Sequence, residues 1–143
     1  MRTFVRVGSD GAGRSTVDET IVIDDRARST TLVGGLQTLG PAAASEVLAE
    51  GLLDLASYGV DCSPGTLTWS VFSQEPNEEF GMHYTTTIDL DHVVAGTTTL
   101  ILEDGEVSLG PGDCVLIPGV PHAWRSGQDG CVLSTILIGI AGP

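Results

Sequence analysis

Two short runs of side chains suited to acid–base chemistry or metal binding constrain this sequence more than any other feature, because one β-hairpin's length of chain separates them. The first run is His83–Asp89, with Gly96 seven residues further on. The second begins at Gly112 and contains His122. Fifteen residues lie between Gly96 and Gly112, and Asp104-Gly105 among them is a strong signal for a two-residue hairpin turn. Such a hairpin would fold the second run back onto the first, as in a small-molecule site inside a barrel.

The C-terminal half of the sequence has the pattern of closely spaced β-strands. Polar and apolar residues alternate over Thr66–Phe72, and two further strands are predicted at Thr97–Glu103 and Glu106–Leu109. Gly110–Asp113 is a predicted turn, and the apolar run Cys131–Ile140 predicts a closing strand. Short strands joined by turns favour a closed barrel or jelly roll, which leaves no free sheet edge. We therefore expect an all-β protein whose barrel is either filled with side chains or encloses one ligand.

The N-terminal part combines predicted strands with one predicted helix. Short strands are expected at Thr3–Val7, Glu19–Ile23 and Thr30–Val33. Residues 42–58 follow Pro41 and combine good helix formers with a stripe of apolar residues, which predicts a helix. We interpret this helix as a cover over one face of the barrel, with a lid or a dimer element as the alternative.

The length of the chain suits one domain. With 143 residues, 41% of them hydrophobic, the sequence can bury a single sizeable core. We expect one domain over residues 1–143, with the barrel motifs at 65–140 and an N-terminal extension at 1–64.

The charge composition excludes several classes of partner and cofactor. The chain contains no lysine and six arginines, and its formal net charge is −13. Phosphate backbones and anionic membranes require clusters of basic side chains, so neither nucleic acid nor a membrane surface is an expected partner. Without lysine there is no Schiff base for pyridoxal phosphate, and a nucleotide cofactor would find too few cations. We expect a small-molecule substrate that is neutral or weakly anionic, or one whose oxygen atoms are held by a metal.

The sequence also predicts a cytoplasmic protein with reduced thiols. It contains no apolar run of about eighteen residues, and the polar stretch Gly8–Arg14 does not fit a signal peptide. The three cysteines, Cys62, Cys114 and Cys131, are an odd number without CxxC spacing, which favours buried thiols over a disulfide framework.

Strand periodicity predicts which polar side chains share the cavity. Side chains two residues apart on a strand point the same way, so His83, Thr85, Thr87 and Asp89 are expected on one face. By the same rule, His92 is expected on the opposite face, and only a bulge would bring it into the site.

Three aromatic residues near these runs are candidate contacts for an apolar ring system. Trp124 shares a strand face with His122. Trp69 and Phe72 precede the first run and have opposite parity. We take all three aromatic residues as candidates for substrate binding, and expect at most one of Trp69 and Phe72 to line the cavity.

The first run resembles the first motif of the cupin superfamily, G-x5-H-x-H-x3,4-E-x6-G. His83 and Gly96 match this motif. Thr85 stands where the second histidine is expected, and Asp89 stands where glutamate is expected.

The second run resembles the second cupin motif, G-x5-P-x-G-x2-H-x3-N. Gly112, Pro118 and His122 match, whereas Val120 replaces the glycine and Ser126 replaces the asparagine. The two half-motifs occur in the right order, and the resemblance covers roughly residues 65–140. The run Met82–Asp89, with Pro121–Trp124 later, looks like a subgroup of small bacterial cupins, several of them associated with aromatic or polyketide metabolism. The resemblance implies a jelly-roll barrel in which His122, the histidine of the second motif, points inward.

The same residues offer two chemistries. His83, Asp89 and His122 provide two imidazoles and a carboxylate, which can bind Fe, Mn, Zn or Ni as divalent ions. Without a metal, either imidazole can pair with Asp89 as general base and acid. Thr85 and Thr87 could then orient a substrate carbonyl or hydroxyl group.

Three functions follow as hypotheses. The first is an enzyme that acts on an apolar, oxygenated, polyketide-like substrate by acid–base chemistry: dehydration, cyclisation, isomerisation or decarboxylation. The second is a mononuclear-metal oxygenase, and the third is a binding or sensing protein without turnover. In each case the resemblance to cupins implies a homodimer.

Overall fold

A computed structural model describes residues 1–24, 26, 32 and 62–142. This part of the chain is all-β, as predicted, and contains eight strands: β1 Arg2–Ser9, β2 Ser15–Ile23, β3 Leu67–Gln74, β4 Glu79–His83, β5 Thr87–Leu102, β6 Gly105–Leu109, β7 Cys114–Pro118 and β8 His122–Gly139. The helix predicted for residues 42–58 lies outside the described residues. The strand predicted for Thr30–Val33 also lies outside them, except for Leu32.

The strands form one mixed sheet that closes into a jelly-roll barrel. Its order is β2-β1-β7-β5-β8-β3, with β4 added to β8 and β6 added to β5. All of these pairs are antiparallel except β1 with β7, where Phe4 lies opposite Cys114. Asp113 anchors this parallel pair, because its Oδ1 accepts a hydrogen bond of 2.6 Å from the backbone N–H of Thr3. The N-terminal strands therefore belong to the same sheet as the barrel motifs.

The hairpin predicted at Asp104-Gly105 is present and joins β5 to β6. Leu102 pairs with Gly105 at its end, and Gly105 has a φ of 145°, which glycine adopts without a steric penalty. The predicted turn at Gly110–Asp113 follows β6 and leads into β7. This hairpin brings the second sequence run back beside the first.

A pair of facing bulges reverses which residues point inward along the two longest strands. In β5 the buried positions are odd-numbered from Thr87 to Val93 and even-numbered from Thr98 to Leu102. The register shifts on both sides of Gly96, whose φ is 72°, and a Cβ there would lie 2.1 Å from the carbonyl oxygen of Gly130. Only glycine allows two backbones to approach this closely. The two bulges bend the long β5–β8 ladder, so that its two halves lie in two different walls of the barrel.

Strand β4 and the first residues of β5 pair with opposite ends of β8, which interrupts the single strand face predicted for the first run. His83 lies opposite His122, whereas Thr87 lies opposite Gly139. Four residues of chain span at most about 14 Å, but a straight strand of the length of β8 would span about 60 Å. β8 therefore curls around the barrel until its ends approach each other, and residues 84–86 cross between them.

The hydrophobic core lies inside the barrel and directly beneath the site. Its best-buried members are aliphatic side chains from four strands, each about 1% exposed or less: Val5, Val7, Val93, Leu100, Ile117 and Leu133. Burial of such a side chain contributes about 1.5–3 kcal/mol. In the part of the chain that the structure describes, no helix has the length and hydropathy needed to cross a bilayer.

Candidate functional site

The barrel contains a cavity of about 350 Å³ on which the two sequence runs converge. Its walls are apolar and include Phe72, Phe80 and Trp124, together with leucines from β8. Phe72 and Phe80 meet edge to face with their ring centroids 6.4 Å apart. His83, Thr85, Asp89 and His122 also line the cavity. The four side chains therefore share one cavity, although the strand predicted for the first run is interrupted at residues 84–86.

The two histidines form a cross-strand pair with a defined protonation pattern. Their ring centroids are 4.4 Å apart, with the ring planes at 60°. Nδ1 of His83 lies 2.9 Å from the carbonyl oxygen of Gly81, and Nδ1 of His122 lies 2.9 Å from that of Val120. A carbonyl oxygen only accepts, so Nδ1 carries the proton in both neutral rings. Each Nε2 is left with a lone pair.

Asp89 is buried next to His122 and is held by a short chain of hydroxyl groups. The Thr87 hydroxyl donates to Oδ1 of Asp89 and lies 2.8 Å from the Thr85 hydroxyl. Oδ2 of Asp89 is 3.8 Å from Nε2 of His122. Burial raises the pKa of Asp89, while the Thr87 hydrogen bond and the electrostatic interaction with the His83 imidazole act in the opposite direction. Asp89 is thus a more basic carboxylate than an exposed aspartate.

The contact between His122 and Asp89 is not an ion pair at neutral pH. His122 is only 2% exposed. Burial lowers its pKa to about 4, with a further decrease from His83, against the hydrogen bond to Val120. The neutral ring therefore faces Asp89 with a lone pair, and the 3.8 Å separation is too long for a hydrogen bond.

Asp91 and Thr135 belong to the site but were not predicted. Asp91 lines the same cavity, and its Oδ1 accepts a hydrogen bond of 2.7 Å from the Thr135 hydroxyl. Burial raises the pKa of Asp91 to about 7, against the Thr135 hydrogen bond, and repulsion from Asp89 adds to the increase. The side-chain alternation that places His83 and Asp89 on one strand face also places Asp91 on that face, so the sequence contained a signal for Asp91. Thr135 had none, because only the pairing of β5 with β8 brings it opposite Asp91.

The structure places Trp69 outside the barrel cavity, so at most one of Trp69 and Phe72 lines it, as expected. Trp69 is 69% exposed, and its indole N–H donates a hydrogen bond of 2.9 Å to the Ser134 hydroxyl on the outer face of the sheet. Phe72 has the opposite parity on β3 and lines the cavity. His92 and Cys114 lie with Trp69 along a separate groove of the outer face. Side-chain alternation therefore separates Phe72 from Trp69 on β3 and Asp89 from His92 on β5. It does not state which face of a strand points into the barrel.

The predicted metal ligands do not form a ligand group as they stand. Among residues 1–24, 26, 32 and 62–142, no three His, Cys, Asp or Glu side chains are arranged to hold a metal ion. Thr85 occupies the place of an imidazole, and one oxygen of Asp89 is engaged by Thr87. The set of His83, Asp89 and His122 as metal ligands stays a prediction, and we derive no chemical step through a metal.

Comparison with known proteins supports the fold. Residues 70–138 match the family model described as Cupin domain. No curated protein matches the sequence significantly. The Rhizobium leguminosarum structural-genomics protein of unknown function has 20% identity and a TM-score of 0.49, over 55% of this chain and 75% of that chain.

Two further similar structures have names that describe an activity. The polyketide cyclase RemF from Streptomyces resistomycificus has 25% identity and a TM-score of 0.47, over 50% of this chain and 53% of that chain. The cupin-superfamily sugar phosphate isomerase from Silicibacter pomeroyi has 15% identity and a TM-score of 0.44, and the match covers 50% of this chain and 50% of that chain. The match thus spans about half the length of these two proteins, and at such TM-scores it carries no information on activity.

Proposed function

We propose that this chain, which belongs to the cupin superfamily, is an enzyme that moves protons on an apolar, oxygenated small molecule held inside its barrel. The reactions included are dehydration, cyclisation, isomerisation and decarboxylation. The observation that carries the proposal is the convergence of His83, His122 and Asp89 on one apolar cavity. The polyketide-like character of the substrate rests on the sequence resemblance alone.

Asp89 is assigned as the general base. Its buried carboxylate has a raised pKa, and proton transfer is most efficient when the pKa of the base lies near the working pH. Oδ2 takes a proton from a carbon next to a substrate carbonyl, the C–H electron pair becomes a C=C bond, and the carbonyl π pair moves to oxygen as an enolate. The negative charge thus passes from Asp89 to the substrate, and the total charge in the cavity is unchanged. In isomerisation the proton returns to another carbon. In dehydration it goes to a β-hydroxyl group, which leaves as water.

The two imidazoles are assigned to substrate orientation and proton exchange. Nε2 of His122 is a buried, uncharged acceptor that can hold a substrate hydroxyl against Asp89. His83 is half-buried at the same cavity, so its Nε2 can exchange protons between the substrate and solvent. The apolar walls exclude water and keep the enolate from unwanted protonation.

Proton exchange on a simple ketone tests this proposal without knowledge of the natural substrate. β-Tetralone in D2O supplies an apolar bicyclic ring with acidic protons next to its carbonyl, and NMR follows their replacement by deuterium. We expect the chain to accelerate this exchange, and the His122→Ala variant to lose at least about 100-fold of the acceleration. The matched control is His92→Ala, because His92 lies on the outer face of the same sheet.

Two other outcomes would contradict the proposal. Protein purified without an affinity tag that contains stoichiometric iron, consumes O2 and loses all activity on chelation would be an oxygenase. A chain that binds ketones in the cavity yet exchanges no proton would be a binding protein. A homodimer in the cytoplasm is part of the same proposal, and light scattering that shows a monomer at micromolar concentration would remove the dimer.

A further inference from the structure

The free polar atoms of the cavity are mainly hydrogen-bond acceptors. Nε2 of His83 and Nε2 of His122 carry lone pairs, because each Nδ1–H is already donated to a backbone carbonyl. The hydroxyl protons of Thr87 and Thr135 are donated to the carboxylates of Asp89 and Asp91. These internal hydrogen bonds leave the imidazole lone pairs and the second carboxylate oxygens facing the cavity.

No cation balances these acceptors. Among the described residues, neither lysine nor arginine lines the cavity, whereas two carboxylates do. Arg125 follows Trp124 on β8 but turns outward, where it forms a 3.0 Å ion pair with Glu106. A carboxylate or phosphate group that entered the cavity would lose its water and find no Lys or Arg side chain and few neutral donors beside the carboxylates of Asp89 and Asp91, which is unfavourable.

We infer that the cavity selects neutral, apolar ring molecules that bear at least two hydroxyl groups, and that it rejects carboxylates and phosphates. The inference rests on the proposed function, because it takes the same cavity as the substrate site. It also removes decarboxylation from the reactions proposed above, because the substrate of a decarboxylation is a carboxylate. One hydroxyl donates to Nε2 of each histidine, and the ring packs against Phe72 and Trp124. The neutral donors of the lining, the Trp124 indole N–H and the Ser73 hydroxyl, can meet hydroxyl oxygens.

The size of the cavity limits the substrate further. Its volume of about 350 Å³ is near the lower end of the ~300–1,000 Å³ range of ligand pockets. The two imidazole centroids are 4.4 Å apart, so both hydroxyl groups must lie at the same end of the molecule. A dihydroxylated bicyclic ring satisfies both conditions.

Three probes of one shape separate hydrogen-bond donation from shape and charge. Isothermal titration calorimetry in neutral buffer, after dialysis against chelator and under argon, compares naphthalenediol, its dimethyl ether and naphthoate. The ether keeps the oxygen atoms but has no proton to donate. We expect the diol to bind at least about tenfold more tightly than the ether, and naphthoate to bind more weakly still. Equal affinities for diol and ether, or preference for naphthoate, would overturn the inference.

Variants locate the effect within the cavity. His83→Phe keeps a flat ring in the half-buried position and removes the acceptor, so it should reduce the preference for diol over ether to a few-fold. His92→Phe places the same substitution on the outer face and should keep the full preference. Asp89→Asn removes one negative charge and should increase the affinity for naphthoate. A naphthoate affinity unchanged by Asp89→Asn would contradict the charge argument.

The two proposals fail in distinguishable ways. A protein that accelerates proton exchange on β-tetralone but binds diol and ether equally refutes the hydroxyl inference alone. A protein that prefers the diol yet exchanges no proton refutes the acid–base function alone.

Discussion

The two faces of strand β5 both carry ionisable residues, but these lie in different surroundings. Asp89 and Asp91 point into the cavity and are 6% exposed, whereas Leu90 and His92 point to the outer groove. The inward carboxyl groups have raised pKa values because they are buried. A shift of one residue along a strand thus decides whether an ionisable side chain is buried in the cavity with a shifted pKa or lies on the outer surface.

The histidines show the same contrast. His122 is buried, fixed by the Val120 carbonyl and paired with His83. His92 lies on the other side of the sheet, opposite Cys114. Residue type alone does not separate the two histidines. Four predictions test this contrast between inner and outer faces, and they follow in order of decreasing effect.

The largest difference is expected between the inner and outer histidines in catalysis. His122→Ala should reduce proton exchange on β-tetralone by at least about 100-fold, since it removes the acceptor beside Asp89. His92→Ala should leave the rate unchanged. NMR exchange rates measure both, with circular dichroism to confirm that each variant is folded. Equal losses in the two variants would show that the faces are not chemically distinct.

The pH dependence of the free energy of unfolding should have opposite signs for two buried groups, His122 and Asp91. The folded pKa of His122, about 4, is below its ordinary value of 6.5, so its contribution to stability is present above pH 6.5 and is lost as pH falls towards 4. The folded pKa of Asp91, about 7, is above its ordinary value of 3.8, so its contribution is present at low pH and is lost as pH rises towards 7. Between about pH 4 and 6.5 the two contributions oppose each other.

Each variant should therefore change the slope in its own direction. Relative to the unmodified chain, Asp91→Asn should make the free energy of unfolding rise more steeply with pH. His122→Gln should shift the slope the other way, so that the free energy of unfolding decreases as pH rises. The change across the window is on the order of 2 kcal/mol for each group. Urea unfolding at the two ends of the window measures the slopes after removal of metals. Slopes that change in the same direction for both variants would contradict the assigned protonation states.

A smaller difference is expected between two neighbouring hydroxyl groups of β8. Thr135→Val removes the donor to buried Asp91 and should lower the free energy of unfolding by about 1–2 kcal/mol. Ser134→Ala loses only an exposed contact with Trp69 and should change it by less than about 0.5 kcal/mol. Urea denaturation at neutral pH compares them. A larger loss in Ser134→Ala would reverse the order of importance of the two faces.

The smallest effect concerns the two aromatic residues of β3. Phe72→Ala should weaken binding of naphthalenediol about fivefold, because the ring packs against the ligand inside the cavity. Trp69→Ala should leave the affinity unchanged, since Trp69 lies outside. Calorimetry is preferred to fluorescence here, because it does not depend on tryptophan. A loss of affinity in Trp69→Ala alone would place the ligand in the outer groove instead.

Much of the fold was predictable because its signals are local. The alternation over Thr66–Phe72 and the Asp104-Gly105 turn depend on neighbouring residues, and both appear in the structure. The spacing of His83, Asp89 and His122 predicted that they would meet, and all three line one cavity. The roles of these residues and the metal set stay predictions.

Other features could not be predicted because they depend on contacts between distant strands. The reversal of the inward parity near Gly96 results from the close approach of Gly130, thirty-four residues later. Thr135 enters the site only through its pairing with Asp91. The pKa shifts of Asp91 and His122 depend on burial, which no local pattern specifies.

The sequence by itself determined the all-β fold, the hairpin that returns the second run to the first, and the side-chain types available for chemistry. These follow from strand periodicity and turn preference, which act over a few residues. The tertiary structure decided which face of each strand became the interior, how β8 curls so that its two ends meet, and which ionisable groups lost their water. Those outcomes depend on the closure of the barrel, since closure alone creates an enclosed space in which a carboxylate and two neutral imidazoles can act together.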